Sequence, residues 1–381
     1  MEAVSAPVHV ELLPTACGRA IAVATLDAER SLNSLTLAMV DALLPRLASW
    51  ADDDHVVAVL LRGRGERAFC AGGDVRALTQ HARTGEGDAG YPAHFFAREY
   101  RLDYAIREFP KPLLVWGTGV VMGGGMGLLL GASFRVATET TRMAMPEITI
   151  GLYPDVGGSY FLSRLPGRVG LFMGLTACQF GASDALALGL ASHVASSESW
   201  SLLLSQLQSQ HWPVPASAQA EVVARVLQQL PQPELAVGPL QQHAEQIAEL
   251  THHDSLSALD QAWREIMPEA PWLAKAVQAY RTGSPTSAAL IWKQWHESAE
   301  LTLAEVFRIE WMLSSQCALH PDFPEGVRAL LIDKDMAPRW QPAKLADVSA
   351  AWVAGHYAIP QGMTQPLVDL EQCFSAGRAS A

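Results

Sequence analysis

A glycine-rich apolar segment constrains the fold of this chain more than any other part of its sequence. Residues 112–134 carry no charged side chain, and residues 119–131 read GVVMGGGMGLLLG. Such a segment could be a membrane span, a nucleotide-binding loop, or a turn whose backbone N–H groups approach a ligand closely. The glycines lower both its hydrophobicity and its helix propensity, which argues against a membrane-spanning helix.

The nucleotide-binding alternatives fail on spacing. A GxGxxG motif beginning at Gly123 would need glycine at position 128, which is leucine, and no GxxxxGK[ST] pattern occurs in the chain. The segment is therefore predicted to be a strand, a turn and a helix: PLLVWG is the buried strand, the glycines form the turn, and GMGLLLGA begins the helix. A helix N-terminus reached by a glycine turn favours an anionic group.

The composition argues against some classes of binding partner and indicates the cellular compartment. The formal net charge of −12 and the isoelectric point near 5.4 argue against nucleic acid and anionic membranes as partners. The five cysteines are scattered without paired spacing, which is typical of free thiols in a reducing compartment. The N-terminal residues lack the basic start and apolar run of a secretory signal, so we expect a cytoplasmic location.

Two regions differ in their periodicity. Buried strands alternate with amphipathic helices between residues 20 and 196, where Thr36 and Ser183 are predicted helix caps and Gly189 a helix stop. This pattern predicts an α/β core at residues 1–196. Residues 197–381, rich in Gln, Ala and Leu with proline breaks, are predicted to form a mainly helical C-terminal region.

Two glycine loops and two isolated acids could carry chemistry. AFCAGGD (68–74) and MGGGMG (122–127) each follow a predicted buried strand, and one N–H from each loop could form an oxyanion hole. Glu147 and Asp155 lie eight residues apart in an otherwise uncharged segment, where acids tend toward raised pKa values and proton transfer. Helix capping or loop hydrogen bonding is the alternative role for each carboxylate.

These motifs together resemble a known superfamily. AFCAGGDV, KPLLVWGTGVVMGGGMGL and AMPEITIGLYPDVGGSYFLSRLPG are similar to crotonase (enoyl-CoA hydratase/isomerase) sequences, and PDVGG and EGVRALLIDKD resemble the 3-hydroxyisobutyryl-CoA hydrolase branch. The resemblance runs over residues 20–196 and resumes at FRIEWMLSSQ. It implies an α/β fold, a crotonase-like ββα spiral core followed by a helical C-terminal region. It also implies an enzyme, with no metal and no cofactor apart from the CoA of the substrate.

The resemblance also implies roles for particular residues. Gly73 and Gly124 match the oxyanion-hole positions, Glu147 the hydrolase glutamate and Asp155 its companion aspartate, while Glu99 matches an acidic position near the acyl pocket. Glu99, Gly124, Glu147 and Asp155 would contact the acyl group. Residues expected near CoA are Arg30, Ala71, Gly73, Asp74 and Arg76, with Lys334 a weaker candidate. A surface role for the two arginines is the alternative.

At Gly127 the sequence departs from the pattern of the hydratases in this superfamily. Hydratases with two catalytic glutamates carry one of them at this position, so the glycine favours hydrolysis over hydration. The expected reaction is hydrolysis of a short branched 3-hydroxyacyl-CoA, as in valine breakdown, with Glu147 acting either as nucleophile or as base. The alternatives are an enoyl-CoA hydratase or isomerase, and an inactive CoA-ester-binding protein. A homo-oligomer based on trimers is possible for this superfamily.

Overall fold

The computed structural model describes residues 6–374. Residues 1–5, part of the segment used to predict the compartment, and residues 375–381, the end of the predicted helical region, lie outside this range. The strands are β1 Val8–Pro14, β2 Ala20–Leu26, β3 Val56–Gly63, β4 Ala68–Cys70, β5 Leu113–Gly117, β6 Val120–Met122, β7 Phe134–Ala137, β8 Arg142–Ala144, β9 Phe180–Gly181 and β10 His193–Val194.

Helices connect these strands and make up most of the C-terminal half. They are α1 Leu37–Asp52, α2 Val75–Leu78, α3 Gln80–Thr84, α4 Tyr91–Arg107, α5 Gly124–Gly131, α6 Gly158–Ser163, α7 Val169–Thr176, α8 Ala182–Ala187, α9 Trp200–Ser209, α10 Ala216–Gln229, α11 Pro239–Gln242, α12 Ala244–Thr251, α13 Leu256–Glu265, α14 Pro271–Thr282, α15 Pro285–Glu297, α16 Leu303–Leu319, α17 Asp322–Val327 and α18 Ala350–His356. Short 3-10 helices include Glu29–Ser31 and Glu147–Ile150, and Arg328–Ile332 is a π-helical turn.

Two sheets receive alternate strands, which produces a spiral. The larger sheet has the order β1-β2-β3-β5-β7-β10 and the smaller one β4-β6-β8-β9. In each of the pairs β3–β4, β5–β6 and β7–β8 the chain crosses from the larger to the smaller sheet and then enters helical structure. The ββα spiral implied by the sequence is confirmed. All pairings are parallel except β1 with β2 and β8 with β9.

The glycine-rich segment forms the predicted strand, turn and helix. β5 is buried, β6 joins the smaller sheet, and Gly123, directly before α5, has φ +49° and ψ −123°, a conformation that side chains avoid. The membrane-span alternative for residues 112–134 is therefore wrong. No helix within residues 6–374 is both long enough and apolar enough to cross a bilayer.

Helices from both halves of the chain cover the sheets. α9 and α10 pack their apolar side chains on one face of the larger sheet, against Ile21, Leu60 and Trp116. α4 lies between α1, α5 and α16, so a helix of the C-terminal half contacts the spiral core directly. The division into two domains at residue 196 stays a prediction.

Two of the three predicted helix ends are correct. Thr36 caps α1 by accepting a hydrogen bond from the Met39 N–H, and Gly189 follows α8 in the left-handed region at φ +71°. Ser183 does not cap α8, because the helix begins at Ala182 and Ser183 is its second residue. The Ser183 hydroxyl instead accepts a bond from the side chain of Gln241.

Candidate active site

The two glycine loops meet at the start of α5. The 71–74 loop is held by hydrogen bonds from the Leu35 N–H to the Gly72 carbonyl and from the Asp74 N–H to the Leu35 carbonyl, at 2.8 and 3.0 Å. A Cβ built on Gly124 would lie 3.3 Å from the Gly73 nitrogen, so the two backbones are in close approach. Within residues 6–374 neither the Gly73 N–H nor the Gly124 N–H donates a hydrogen bond to the protein. Two adjacent, unused N–H donors are what an oxyanion hole requires.

Glu147 lies across from this pair. It opens the 3-10 helix Glu147–Ile150 after Pro146, and only 4% of its surface is exposed. A Cβ built on Gly123 would lie 3.0 Å from Glu147 Oε1, and Oε2 has no hydrogen-bond partner among the described residues. No side chain caps this 3-10 helix. Burial, and then the charge of Asp155, raise the pKa of Glu147 well above its usual range.

Asp155 is buried next to a tyrosine and a serine from two other helices. The Tyr100 hydroxyl of α4 lies 2.6 Å from Asp155 Oδ2, and the Ser314 hydroxyl of α16 lies 3.5 Å from the same oxygen. Burial raises the pKa of Asp155 to about 6, while the hydrogen bond from Tyr100 opposes this rise. Asp155 can therefore exchange a proton near neutral pH.

Two acids on α4 occupy space that side chains at the glycines would need. A Cβ on Gly124 would come within 2.5 Å of Glu99 Oε1, and a Cβ on Gly127 within 3.1 Å of Asp103 Oδ2. Each acid is about 2% exposed, and Glu99 Oε1 and both Asp103 oxygens lack hydrogen-bond partners within the described part of the chain. Burial is the main cause that raises both pKa values, followed for Glu99 by Asp155 and for Asp103 by Glu99.

A fifth buried acid comes from the C-terminal half. Glu310 of α16 is fully buried, and its carboxylate accepts hydrogen bonds from the N–H groups of Gly157 and Ser159 at 2.7 and 3.2 Å. Burial, and then the charge of Asp155, raise the pKa of Glu310 to about 8. The five carboxyl groups therefore form one cluster, in which the charge of Asp155 raises the pKa of each of the other four.

The residues expected near CoA lie on the 71–74 loop, the helix α2 that follows it and the nearby 3-10 helix Glu29–Ser31. Ala71 donates its N–H to the Leu32 carbonyl at 3.1 Å, which brings it close to the 3-10 helix that carries the exposed Arg30. The guanidinium of Arg76 donates to the Leu331 carbonyl at 2.9 Å. Both arginines remain candidates for a phosphate contact.

The other two candidates have different surroundings. The Asp74 carboxylate caps α2 by accepting from the Ala77 N–H, so a CoA contact at this position would use the backbone. Lys334 is exposed just beyond the π-helical turn. Within residues 6–374 no three His, Cys, Asp or Glu side chains are arranged to hold a metal ion.

The structure places Gly73, Gly124, Glu147, Asp155 and Glu99 close together. It also adds four buried residues that sequence reasoning missed, namely Tyr100, Asp103, Glu310 and Ser314. A signal existed for two of them: Asp103 follows Glu99 by one helical turn, and Glu310 is an acid within the apolar run of FRIEWMLSSQ. The spiral of two sheets, the paired backbone donors and the buried acids together define a protein of the crotonase class.

Comparisons with known proteins agree with this class. The enoyl-CoA hydratase/isomerase family model matches residues 21–357, and the chain belongs to this family. It is 38% identical to the mitochondrial 3-hydroxyisobutyryl-CoA hydrolase of Gallus gallus, over 86% of this chain and 84% of the relative. The human protein of the same name is 35% identical over 88% of this chain and 85% of the relative.

Solved structures of proteins that are not named as hydrolases are also similar to this chain. A carnitinyl-CoA dehydratase from Mycobacterium thermoresistibile is 34% identical, with a TM-score of 0.81, over 93% of this chain and 97% of the other. An enoyl-CoA hydratase from Rhodobacter sphaeroides 2.4.1 is 32% identical, with a TM-score of 0.78, over 92% of this chain and 97% of the other. The names of the relatives therefore include both hydrolases and hydratases.

Proposed function

We propose that this chain hydrolyses the thioester of 3-hydroxyisobutyryl-CoA or of a similar short 3-hydroxyacyl-CoA. The observation that carries the proposal is the surroundings of Gly127, where a Cβ would lie 2.6 Å from the Cβ of Val156. A second glutamate, which two-glutamate hydratases place here, has no room. Relatives named as 3-hydroxyisobutyryl-CoA hydrolases support the same reaction.

The N–H groups of Gly73 and Gly124 bind the thioester oxygen. This oxygen gains negative charge when the carbonyl carbon becomes tetrahedral, and two pre-positioned donors stabilise that charge more than they stabilise the ground state. Removal of one such donor typically costs about 10²–10³ in rate.

Glu147 supplies the attack by one of two routes. As a nucleophile, its carboxylate oxygen bonds to the carbonyl carbon, the C–S bond breaks, CoA leaves as a thiol after gaining a proton, and water then hydrolyses the acyl anhydride. As a base, Glu147 takes a proton from water while the water oxygen bonds to the carbonyl carbon, and the proton passes to the departing sulfur. Both routes need the ionised carboxylate and yield the same acid and free CoA.

Asp155 and Glu99 act on the acyl group. Asp155 orients the 3-hydroxyl, as an acceptor, or shares in the proton transfer, and Glu99 assists beside the acyl carbonyl. The proposal places the CoA portion near Arg30, Ala71, Gly73, Asp74 and Arg76. A role in valine breakdown, a cytoplasmic location and a trimer-based assembly complete the proposal, although the relatives named above are mitochondrial.

Two assays on the purified chain test the reaction. 3-Hydroxyisobutyryl-CoA with a thiol reagent reports release of CoA, and crotonyl-CoA in a parallel cuvette reports loss of the enoyl absorbance. Hydrolysis predicts fast thiol release from the first ester and stable absorbance of the second. Loss of enoyl absorbance without thiol release would identify a hydratase, and binding of both esters without turnover would identify an inactive CoA-ester-binding protein.

A further inference from the structure

We propose that Glu310 is a positioning residue for Asp155: its carboxylate holds the Asp155–Gly157 turn in a conformation that the turn would not keep alone. The inference rests on the proposed hydrolysis only through the role given to Asp155. It assigns to the C-terminal half of the chain a direct part in shaping the active site.

The turn that follows Asp155 is strained. Val156 has φ +53° and Gly157 has φ +80°, so two successive residues adopt the left-handed region. A β-branched residue is rarely found there, because its side chain crowds the backbone. Such a conformation persists only where the surroundings fix it.

Glu310 supplies this fixing contact from outside the turn. Its two carboxylate oxygens accept separately from the Gly157 N–H at 2.7 Å and the Ser159 N–H at 3.2 Å. A planar carboxylate that binds two amides of one turn constrains both their distance and their orientation. Because Glu310 is fully buried, water cannot replace either bond.

The same helix holds Asp155 itself through a chain of hydroxyl groups. Ser314, one turn after Glu310, lies 2.7 Å from the Tyr100 hydroxyl, which lies 2.6 Å from Asp155 Oδ2. Ionised Asp155 can only accept, so it accepts from the Tyr100 hydroxyl and, at 3.5 Å, from the Ser314 hydroxyl. The Tyr153 hydroxyl lies 2.9 Å from both Ser314 Oγ and the Glu310 carbonyl, which ties the chain to the same turn of α16.

The test compares Glu310→Gln with Glu305→Gln on the same helix. Glu305 is exposed in a capping box, where glutamine serves equally well, so this variant controls for a substitution in α16. For E310Q we expect kcat to fall by about 10²-fold with little change in KM. We also expect faster amide hydrogen exchange in peptides covering residues 155–159, whereas E305Q should match the wild type in both measurements.

A second substitution tests whether the loss of kcat in E310Q comes from strain in the turn at Val156. Val156→Gly makes the left-handed conformation easier, so E310Q combined with V156G should recover about tenfold in kcat over E310Q alone. No recovery, or wild-type exchange and kcat in E310Q, would overturn the proposal. If E310Q does not fold, Glu310→Asp replaces it: the shorter side chain keeps the carboxyl group but cannot span both amides, and wild-type exchange in E310D would then contradict the proposal.

The exchange measurement also separates the two proposals. If the wild-type chain hydrolyses no CoA ester, the proposed function fails. The exchange at residues 155–159 then still decides whether Glu310 holds the turn.

Discussion

Val156 lies against the backbone of Gly127: a Cβ built on the glycine would be 2.6 Å from the Cβ of the valine and 3.1 Å from Asp103 Oδ2. Real Cβ atoms essentially never approach so closely, so any side chain at position 127 must displace the strained turn that carries Asp155. The glycine is required by packing, apart from any role in catalysis.

Gly127→Ala should therefore lower the free energy of unfolding by about 1–3 kcal/mol, the usual cost of overpacking a core. Gly127→Glu should be less stable still and should gain no hydratase activity. Urea denaturation measures the first effect and the crotonyl-CoA assay the second. Gly355→Ala is the matched control, because this helical glycine faces open space and alanine there should be neutral or stabilising.

Glu147→Gln should reduce kcat by about 10³-fold or more, because the amide neither attacks the thioester carbonyl nor accepts a proton from water. Affinity for the CoA ester should change little, since the substitution keeps the size of the side chain. Stopped assays give kcat and calorimetry gives affinity. Substantial turnover by E147Q would rule out both routes proposed for this residue.

Tyr100→Phe should move the acid limb of the pH–rate profile upward. The Tyr100 hydrogen bond lowers the pKa of Asp155 from the value that burial alone would give, so its loss raises that pKa above about 6. The ionised carboxylate, which accepts the 3-hydroxyl, then forms only at higher pH. Tyr104→Phe on the same helix is the control and should leave the limb in place; equal profiles for both variants would contradict the assignment.

Asp103→Asn should stabilise the chain, and increasingly so as the pH rises. The pKa of Asp103 in the folded state is raised above the unfolded value, so the folded state binds more protons and stability falls with rising pH until the folded pKa is passed. Asparagine does not titrate, so the substitution removes this pH-dependent loss of stability. Thermal unfolding between pH 4 and pH 8 should show a widening gain in Tm for D103N, whereas the exposed Asp254→Asn should show none.

Arg30→Ala should weaken CoA binding, more strongly at low salt than at high salt, because an exposed guanidinium interacts with phosphate through screened charge. Calorimetry with free CoA at two ionic strengths measures the difference. Arg225→Ala, an exposed position on α10 at the far side of the larger sheet, serves as control. Equal affinities of the two variants would assign Arg30 to the solvated surface.

The fold could be predicted from the sequence because its signals are local. β3 and β5 are continuous apolar runs buried on both faces, and the glycine turn before α5 follows from residues adjacent in the chain. Glu147 and Asp155 stood out for the same reason, as isolated acids in an uncharged segment. The Ser183 cap was wrong because α8 begins before this residue, directly after Gly181.

The rest of the site depends on contacts between distant segments. Ser314 meets Tyr100 across 214 residues of sequence, and Glu310 meets Gly157 across 153. No local pattern reports which face of α16 turns inward, since the helix is buried on several sides. The left-handed conformation of Val156 could not be predicted either, because its residue type disfavours it.

The glycines at the start of α5 have a consequence for how acyl preference could change in this chain. Positions 123, 124 and 127 present bare backbone toward the carboxyl groups of Glu147, Glu99 and Asp103, so no side chain can be added there to reshape the acyl pocket. Under the proposed function, a nearby side chain that can be varied is Phe95 of α4, which lies 3.5 Å from the Cβ position of Gly73. A mutant library aimed at a new acyl group should therefore vary residue 95 and leave the glycine turn intact.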